Sequence, residues 1–415
     1  MIYHEEEEEE LIAGEFQILD KISKGGFGDV RSCQSIKTQK KYAIKIEPCE
    51  IKNSNLCSHL KREYHMYKVL HGAIGFPNIY CFMTKLPSKK PNHYYAFPKR
   101  SYSYLVHELL GPSLESLFAF CHHRFSLKTV LMIADQVLCR LEYIHNKGFV
   151  HRDIKPDNFL IGTENNSNVI YMIDLGLSSD IPVQKELIRD PMKLDQEFVG
   201  TSRFATISAH LGYEQSQKDD LESLSYSFVY FLKGKLPWQG INISDKNLKC
   251  HLISQKKQSI PHNAVFEGLP SEFYIFFQLV HNLGFKEKPK YSQYREMFRK
   301  LMIKKGYIYD YQYDWVILQN KNTEVQQRMA ENDNTEIFKI HSETDFNRNL
   351  RNSSRRICYE NVRTIEINDL NTNNNAHNVN IQVDNRLTKN PKFPSWMLNF
   401  NQNISNSKHK TVSLF

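Results

Sequence analysis

The sequence predicts an α+β fold in which a small, sheet-rich lobe precedes a larger helical lobe. Short β-prone segments around a glycine-rich turn occupy the region from Phe16 to about Lys45, and long amphipathic patterns dominate from Leu114 onward. A third observation is length. The 415 residues are too many for one small domain and about right for one two-lobed protein with appendages.

The first lobe is predicted to contain strands and one helix. Strand, glycine-rich turn and strand fill Phe16 to about Lys45, with a third strand at Lys41 to Glu47. Leu60 to Leu70 has apolar side chains near helical spacing, and Gly72 ends it. The later segments are an extended stretch from Gly75, a loop from Thr84 to Arg100 and a β-prone stretch from Tyr102 to Leu109.

The second lobe is predicted to be helical. Amphipathic patterns predict helices at Leu114 to Cys121 and Leu127 to Asn146, and the apolar run from Asp219 to Phe231 predicts a third. Beyond Leu318, roughly one residue in five is Asn and apolar clusters are few, which is typical of a disordered tail. Lys392 to Phe400 is an apolar exception that fits a docking segment and a segment folded back on the core equally well.

These patterns predict an acidic, disordered terminus at residues 1–14, one domain at 15–318 and an Asn-rich disordered tail at 319–415. Within the domain, the first lobe spans about 15–108, with an insertion at 84–100, and the second about 111–318. We interpret the acidic run Glu5 to Glu10 as a solvated tip rather than a docking tail. The insertion's basic cluster could bind an acidic partner, but a solvated insertion is the preferred interpretation. The cluster comprises Lys85, Lys89, Lys90, Lys99 and Arg100.

Composition limits the partners and the compartment. The net charge of +8 is too modest to indicate nucleic acid, and none is expected as a partner. Eight cysteines without paired spacing indicate thiols in a reducing compartment. No apolar stretch is long enough to span a bilayer, and neither a signal peptide nor a lipidation motif is present. We therefore expect a soluble, monomeric, cytoplasmic or nuclear protein with no membrane partner.

The most informative motif is His151-Arg152-Asp153-Ile154-Lys155-Pro156-Asp157-Asn158, followed by Asp174-Leu175-Gly176. It places a candidate base, a lysine and two metal ligands together, as phosphoryl transfer by a protein kinase requires. Asp153 is predicted to accept the proton of the attacking hydroxyl, and Lys155 to offset charge on the transferring phosphate. Asn158 and Asp174 are predicted to hold Mg²⁺.

A glycine-rich loop is predicted to cover the phosphates of ATP. Glycines let the backbone approach the phosphates without a Cβ in the way, and the loop lies one strand before Ala43-Ile44-Lys45. Ser23 replaces the usual first glycine, while Gly25 and Gly28 remain. The predicted loop residues are Ile22, Ser23, Lys24, Gly25, Gly26, Phe27, Gly28, Asp29 and Val30.

The rest of the predicted ATP site lies on both sides of a hinge. Lys45 is predicted to pair with the α/β-phosphates and to be held by Glu63. The hinge, Glu108 to Leu110, is predicted to meet the adenine edge through backbone groups. We interpret His107, just before it, as a buried-edge histidine rather than a pH sensor. The predicted apolar walls for adenine are Val30, Ala43, Leu160 and Ile173.

The catalytic loop and its continuation Phe159-Leu160 resemble those of the casein kinase 1 family of Ser/Thr protein kinases. The resemblance covers about Phe16 to Leu318. Further segments similar to that family are Leu109 to Glu115, Gly200 to Ala205, His210 to Ser216, Asp219 to Leu224, Leu236 to Gly240, Pro270 to Phe273 and Tyr309 to Tyr311.

The resemblance implies a bilobal protein kinase fold, use of Mg²⁺-ATP, and substrates with Ser/Thr near acidic or phosphorylated residues. Arg203, Gly240 and Lys249 match the family's anion-binding positions, where a substrate phosphate would bind. The acidic stretch Asp195-Gln196-Glu197 indicates a weakened preference for primed substrates.

The resemblance also implies supporting contacts near the catalytic loop. Thr206-Ile207-Ser208 replaces the usual Ala-Pro-Glu and removes its glutamate anchor. Asp220 is expected to bond the backbone of the catalytic loop, and Thr201 to contact Asp153 and Lys155. Since no activation-loop switch is evident, we expect basal activity, and the tail could be autophosphorylated at Ser353, Ser354 or Ser405.

The alternative is a pseudokinase scaffold that binds partners without transferring phosphate. Its support is limited to Ser23, His107 and Leu175, which depart from the usual pattern. All six predicted residues of the transfer chemistry are present, which favours an enzyme. They are Lys45, Glu63, Asp153, Lys155, Asn158 and Asp174.

Overall fold

The computed structural model describes residues 11–24, 28–52, 55–57, 59–85, 101–182, 186 and 198–324. Several sequence predictions lie outside these residues: Gly25, Gly26 and Phe27 of the phosphate loop, residues 86–100 of the insertion, Asp195 to Glu197, the acidic run and the tail beyond 324. The described chain divides into two units, one extending to Trp315 and one beginning at Val316. Residues 316–324 of the second unit are helical.

The first lobe is built on an antiparallel sheet with strand order β1-β2-β3-β6-β5, and β4 pairs with β3. Its elements are β1 (Phe16–Lys24), β2 (Asp29–Ser35), β3 (Lys41–Lys52), β4 (Asn55–Cys57), α1 (His59–Val69), β5 (Ile79–Lys85) and β6 (Ser101–Glu108). One face of this sheet buries an apolar cluster that includes Phe16, Cys33, Ile44 and Val106. Burial of this face stabilises the sheet.

The second lobe is mostly helical, as predicted. Its helices are α2 (Leu114–Phe120), α3 (Leu127–Asn146), α4 (Ile207–His210), α5 (Gln217–Lys233), α6 (Lys246–Ser259), α7 (His262–Phe266), α8 (Ser271–His281) and α9 (Tyr291–Lys304). Two short antiparallel ribbons are formed by β7 (Phe149–Val150) with β10 (Ser179–Asp180) and by β8 (Phe159–Ile161) with β9 (Ile170–Met172). Single 3₁₀ turns occur at Pro156–Asn158, Glu164–Asn166 and Leu175–Leu177.

Helix α5 is the centre of this lobe. Fourteen of its residues, from Asp219 to Leu232, are buried, so it is covered on all sides, as expected for a core helix. Its start is fixed by a capping box, in which the Asp219 carboxylate accepts from the backbone N–H of Ser216 at 2.8 Å. The cap and the surrounding core define where the helix begins, and so position the carboxylates of its first turn.

The sequence predictions of elements were correct in type and differed mainly at the ends. The strand predicted at Lys41 to Glu47 runs to Lys52, because β4 continues the pairing. The loop predicted to begin at Thr84 was wrong at its start: Thr84 and Lys85 end β5 and pair with Ser103 and Tyr102. Among the described residues, no helix is long and apolar enough to cross a membrane.

Candidate active site

The catalytic loop lies between β7 and β8 and is held by one buried carboxylate. Asp220 Oδ2 accepts from the backbone N–H of His151 at 2.7 Å, and Oδ1 accepts from that of Arg152 at 2.8 Å. Arg152 has the left-handed φ of 68°, which is unfavourable for a residue with a Cβ. His145 Nε2 lies 2.8 Å from Asp220 Oδ2. The expected contact of Asp220 with the loop backbone is therefore present.

Asp153 lies at the centre of three polar side chains. Lys155 Nζ donates to Asp153 Oδ2 at 2.6 Å, and Thr201 Oγ1 donates to Oδ1 at 2.7 Å. Lys155 Nζ is also 3.0 Å from Thr201 Oγ1, and Asn158 Nδ2 donates to the Asp153 carbonyl at 2.8 Å. The predicted contacts of Thr201 with Asp153 and Lys155 are thus present, and they fix the orientation of the Asp153 carboxylate.

Gly200 allows the segment before Thr201 to approach the catalytic loop. Its φ is 103°, and a Cβ there would lie 2.7 Å from the carbonyl oxygen of Arg152. Both the backbone conformation and the close approach require glycine. A larger residue would move Thr201 away from Asp153.

A second polar cluster joins both lobes at Lys45. Lys45 Nζ donates to Glu63 Oε2 at 2.7 Å and to Asp174 Oδ1 at 2.6 Å. Burial opposes ionisation of Asp174, but the Lys45 ammonium outweighs it and lowers the pKa of this carboxyl. Burial likewise opposes the charge on Lys45, but Glu63 and Asp174 outweigh it and raise the pKa of the ammonium. Lys45 and Asp174 therefore stand as charged partners, whereas burial outweighs Lys45 at Glu63 and raises the pKa of that carboxyl.

Asp174 is positioned by its backbone. It adopts the left-handed conformation, with φ 64° and ψ 61°, at the start of a 3₁₀ turn. Its backbone N–H donates to the Tyr67 hydroxyl at 3.2 Å. Leu175, which replaces the more usual phenylalanine, is fully buried, so this departure from the pattern leaves Asp174 in place.

Asp174 and Asn158 are the candidate metal ligands. The Asn158 amide nitrogen is occupied by Asp153, which leaves the amide oxygen to bind a cation. Carboxylate and amide oxygens suit Mg²⁺, which takes one or two protein ligands and completes its shell with phosphates and water. In the described part of the chain, no three acidic, cysteine or histidine side chains cluster as a cation site. This donor set fits Mg²⁺ carried by a nucleotide.

The predicted ATP residues lie on the sheet next to Lys45. Val30 pairs directly with Lys45 across β2 and β3, and Ala43 is two residues before Lys45, so these three side chains share one face. Ile22, Ser23 and Lys24 end β1, and Asp29 begins β2. Between them, a Cβ on Gly28 would lie 2.0 Å from the Ile46 carbonyl oxygen, so the chain requires glycine there.

The predicted hinge presents backbone groups after β6. The Glu108 N–H donates to Asn78 O at 2.9 Å, whereas the Leu110 N–H has no protein acceptor among the described residues. The remaining predicted walls lie on the other ribbon, where Leu160 is in β8 and Ile173 directly follows β9. Burial lowers the pKa of His107 to about 4, so it is neutral near pH 7, which agrees with its interpretation as a buried-edge histidine.

The predicted anion-binding residues surround the segment after Gly200. The Arg203 guanidinium lies 5.6 Å from the ring centres of both Phe204 and Tyr230, and its Nη1 is 3.9 Å from Glu115 Oε1. Lys249 is exposed on α6, and Gly240 has φ 86° with open space where a Cβ would be. Among the described contacts, none joins these three residues directly.

Sequence reasoning missed several side chains at the site. Tyr67 hydrogen-bonds to Glu63 as well as to Asp174, and its spacing of four from Glu63 on α1 could have indicated it. Glu115, the neighbour of Arg203, was noted only as part of a motif. Lys257, whose ammonium lies under residues 202–205, carried no sequence signal, because it looks like one of two adjacent surface lysines.

Comparison with known protein families gives a match. The model of the protein kinase domain matches residues 16–301, which include both lobes and every candidate catalytic residue described above. The fold, an antiparallel sheet followed by a helical lobe, agrees with it. The chain therefore belongs to the protein kinase family.

Proposed function

We propose that this protein is an ATP-dependent Ser/Thr protein kinase of the casein kinase 1 type. It transfers the γ-phosphate of ATP to Ser or Thr of acidic or phospho-primed proteins. The observation that carries the proposal is the pair of assembled clusters, Lys45 with Glu63 and Asp174, and Asp153 with Lys155 and Thr201. Both are required before the hydroxyl and the phosphate can be aligned.

Each residue has a role that follows from its contacts. Asp153 accepts the proton of the attacking hydroxyl, with its carboxylate oriented by Thr201. Lys155 offsets negative charge that develops between the hydroxyl and the phosphate. Lys45, fixed by Glu63, binds the α/β-phosphates. Asn158 and Asp174 would hold Mg²⁺, which would supply positive charge to the phosphate oxygens.

The preference for primed substrates is proposed from the charges near Arg203. Arg203 and the exposed Lys249 are cationic, and a phosphate near both would receive charge-assisted hydrogen bonds. Glu115 lies 3.9 Å from Arg203 and offsets part of its charge. We therefore propose a primed-substrate preference that is present but weak.

The first experiment compares wild type with Asp153→Asn, using Mg²⁺-ATP and an acidic Ser peptide. Loss of the base is expected to reduce kcat by about 10²–10⁴-fold. Asp157→Asn is the matched control, because Asp157 lies in the same loop and is exposed. Wild type that binds ATP but transfers no phosphate would refute the enzyme and favour the scaffold.

The second experiment tests the anion site with phospho-primed and unprimed versions of one peptide. Arg203→Ala and Lys249→Ala are each expected to remove most of the primed advantage, about tenfold for a lost charge-assisted bond. Lys246→Ala is the control, since Lys246 is exposed on the same helix. Equal rates of wild type on both peptides would keep the kinase and discard the anion site.

A further inference from the structure

The segment from Thr201 to Thr206 connects the catalytic loop to the candidate substrate site. It begins at Thr201, whose hydroxyl contacts Asp153 and Lys155, and it includes Arg203. Kinase sequences usually end this region with Ala-Pro-Glu. This chain has Thr206-Ile207-Ser208 there, so the glutamate is missing.

The ammonium group of Lys257, on α6, lies directly beneath this segment. Its Nζ donates to Ser202 O at 2.9 Å and to Ala205 O at 2.5 Å. It also lies 4.8 Å from the ring centre of Trp238 and 5.3 Å from that of Tyr226. Lys257 thus holds two carbonyl groups of one short segment with a single charge.

Two neighbouring side chains bind the same segment between these points. Trp238 Nε1 donates to Arg203 O at 2.7 Å, and His210 Nε2 lies 3.2 Å from Ser202 O. The carbonyls of residues 202, 203 and 205 are therefore all bonded to side chains from α4, α6 and the Trp238 turn. Lys257 is the charged member of this set, and charge-assisted bonds are the stronger ones.

Lys257 is an unusual residue to find in this position. It is 3% exposed, and burial lowers the pKa of its ammonium to about 7, with Glu222 and Cys250 opposing this shift. The other titratable groups facing it are Tyr226 on α5 and His210 on α4. Burying a charge is costly without compensation, and here the direct acceptors are the segment's own carbonyls.

We propose that Lys257 is a positioning residue for peptide recognition, whose ammonium group fixes the Thr201–Thr206 segment in place of the missing glutamate anchor. Through this segment it sets the positions of Thr201 beside Asp153 and of Arg203 beside Glu115. The inference rests on the proposed function, since the recognised group is the peptide substrate of a kinase. ATP binding, on the Lys45 side of the site, should not depend on it.

The test uses three variants of the full chain. Lys257→Met removes the ammonium, Lys257→Arg retains a charge, and Lys256→Met is the matched control, because Lys256 is the adjacent, exposed lysine on the same helix. Hydrogen–deuterium exchange of residues 201–206 reports on the segment itself. Peptide and ATP kinetics report on its consequence.

Lys257→Met is expected to speed exchange of the segment and to raise the peptide KM, each by about tenfold, because two carbonyls of the segment lose a charged donor. The KM for ATP should stay unchanged, and Lys257→Arg should recover part of the loss. Lys256→Met should match wild type. If Lys257→Met matched Lys256→Met in both exchange and peptide KM, the inference would be overturned.

Two further outcomes are also decisive. If wild type transferred no phosphate, the proposed kinase activity would fail, while the exchange measurement would still decide on Lys257. If Lys257→Met did not fold, Lys257→Gln would decide, because it keeps a neutral donor near the same two carbonyls. Exchange of the segment and a peptide KM both equal to those of Lys256→Met would then overturn the inference.

Discussion

Replacement of Asp220 by Asn should loosen the catalytic loop without altering side-chain size. The carboxylate is 1% exposed and accepts three bonds, from the N–H groups of His151 and Arg152 and from His145. Burial opposes its ionisation, but His145 and the loop outweigh this and lower the pKa of Asp220. An amide has only one acceptor atom, so the backbone N–H of either His151 or Arg152 must face the NH₂ group of the introduced amide, which is itself a donor.

The magnitude follows from these contacts. At least one charge-assisted bond is lost, worth about 1.5–3 kcal/mol, and the remaining bonds lose their ionic partner. The least disruptive placement turns the amide nitrogen toward the Arg152 N–H, because the other oxygen position accepts two of the three bonds. The backbone of Arg152, with φ 68°, is itself unfavourable by about 1–2 kcal/mol and then loses its acceptor. We therefore expect the free energy of unfolding to fall by about 2–4 kcal/mol and kcat to fall at least about tenfold, because Asp153 follows Arg152 directly.

The assay combines thermal unfolding with peptide turnover. For a domain of this size, the expected loss corresponds to a fall in Tm of roughly 3–6 °C. The KM for ATP should not change, since Lys45 and Glu63 do not contact Asp220. Asp245→Asn is the control, because Asp245 caps α6 through the single acceptor Oδ1 and Asn is an equally good cap. Unchanged Tm and kcat in Asp220→Asn would refute the reasoning.

Three other substitutions test the remaining contacts. Thr201→Val should lower kcat about tenfold with little change in Tm, since it removes one bond to Asp153, while Thr201→Ser should retain activity; equal turnover of both would contradict this. Glu63→Gln should raise the KM for ATP and lower kcat, so that kcat/KM for ATP falls about tenfold, because Lys45 keeps only Asp174 as a charged partner. Unchanged ATP kinetics would count against this role of Glu63. Burial raises the pKa of Asp219 to about 6, so between about pH 4 and pH 6 the Asp219 carboxyl holds more proton in the folded state than in the unfolded state. Wild type should therefore lose stability relative to Asp219→Asn as the pH rises over this range, by up to about 3 kcal/mol. Parallel Tm curves of the two proteins over this range would exclude this prediction.

The sequence was most informative where chemistry restricts residue type. Asp153, Lys155 and Asn158 lie within six residues, and Lys45 and Glu63 are placed by one strand and one helix, so their meeting could be expected. Helix α3 was predicted with its observed ends, Leu127 and Asn146, because its apolar period is regular and Ser126 caps it. These elements depend on local sequence.

Contacts between distant segments could not be predicted in the same way. Lys257 and Ser202 are 55 residues apart, and nothing in Lys256-Lys257 distinguishes the buried lysine from the exposed one. Glu115 approaches Arg203 only because α2 and the segment after Gly200 pack around Tyr230. The end of β3 was misjudged for the same reason, since its last residues pair with β4 rather than follow an apolar alternation.

The buried position of Lys257 has a consequence for how the protein tolerates changes in pH. In the unfolded chain this lysine keeps its proton to a much higher pH than in the folded state, where burial lowers the pKa to about 7. Between these two values the unfolded state binds more protons, so this residue's contribution to folding stability improves as the pH rises. Its hold on the Thr201–Thr206 segment weakens over the same range. The conditions that best preserve the fold during storage are therefore expected to differ from those that best support phosphate transfer to a peptide.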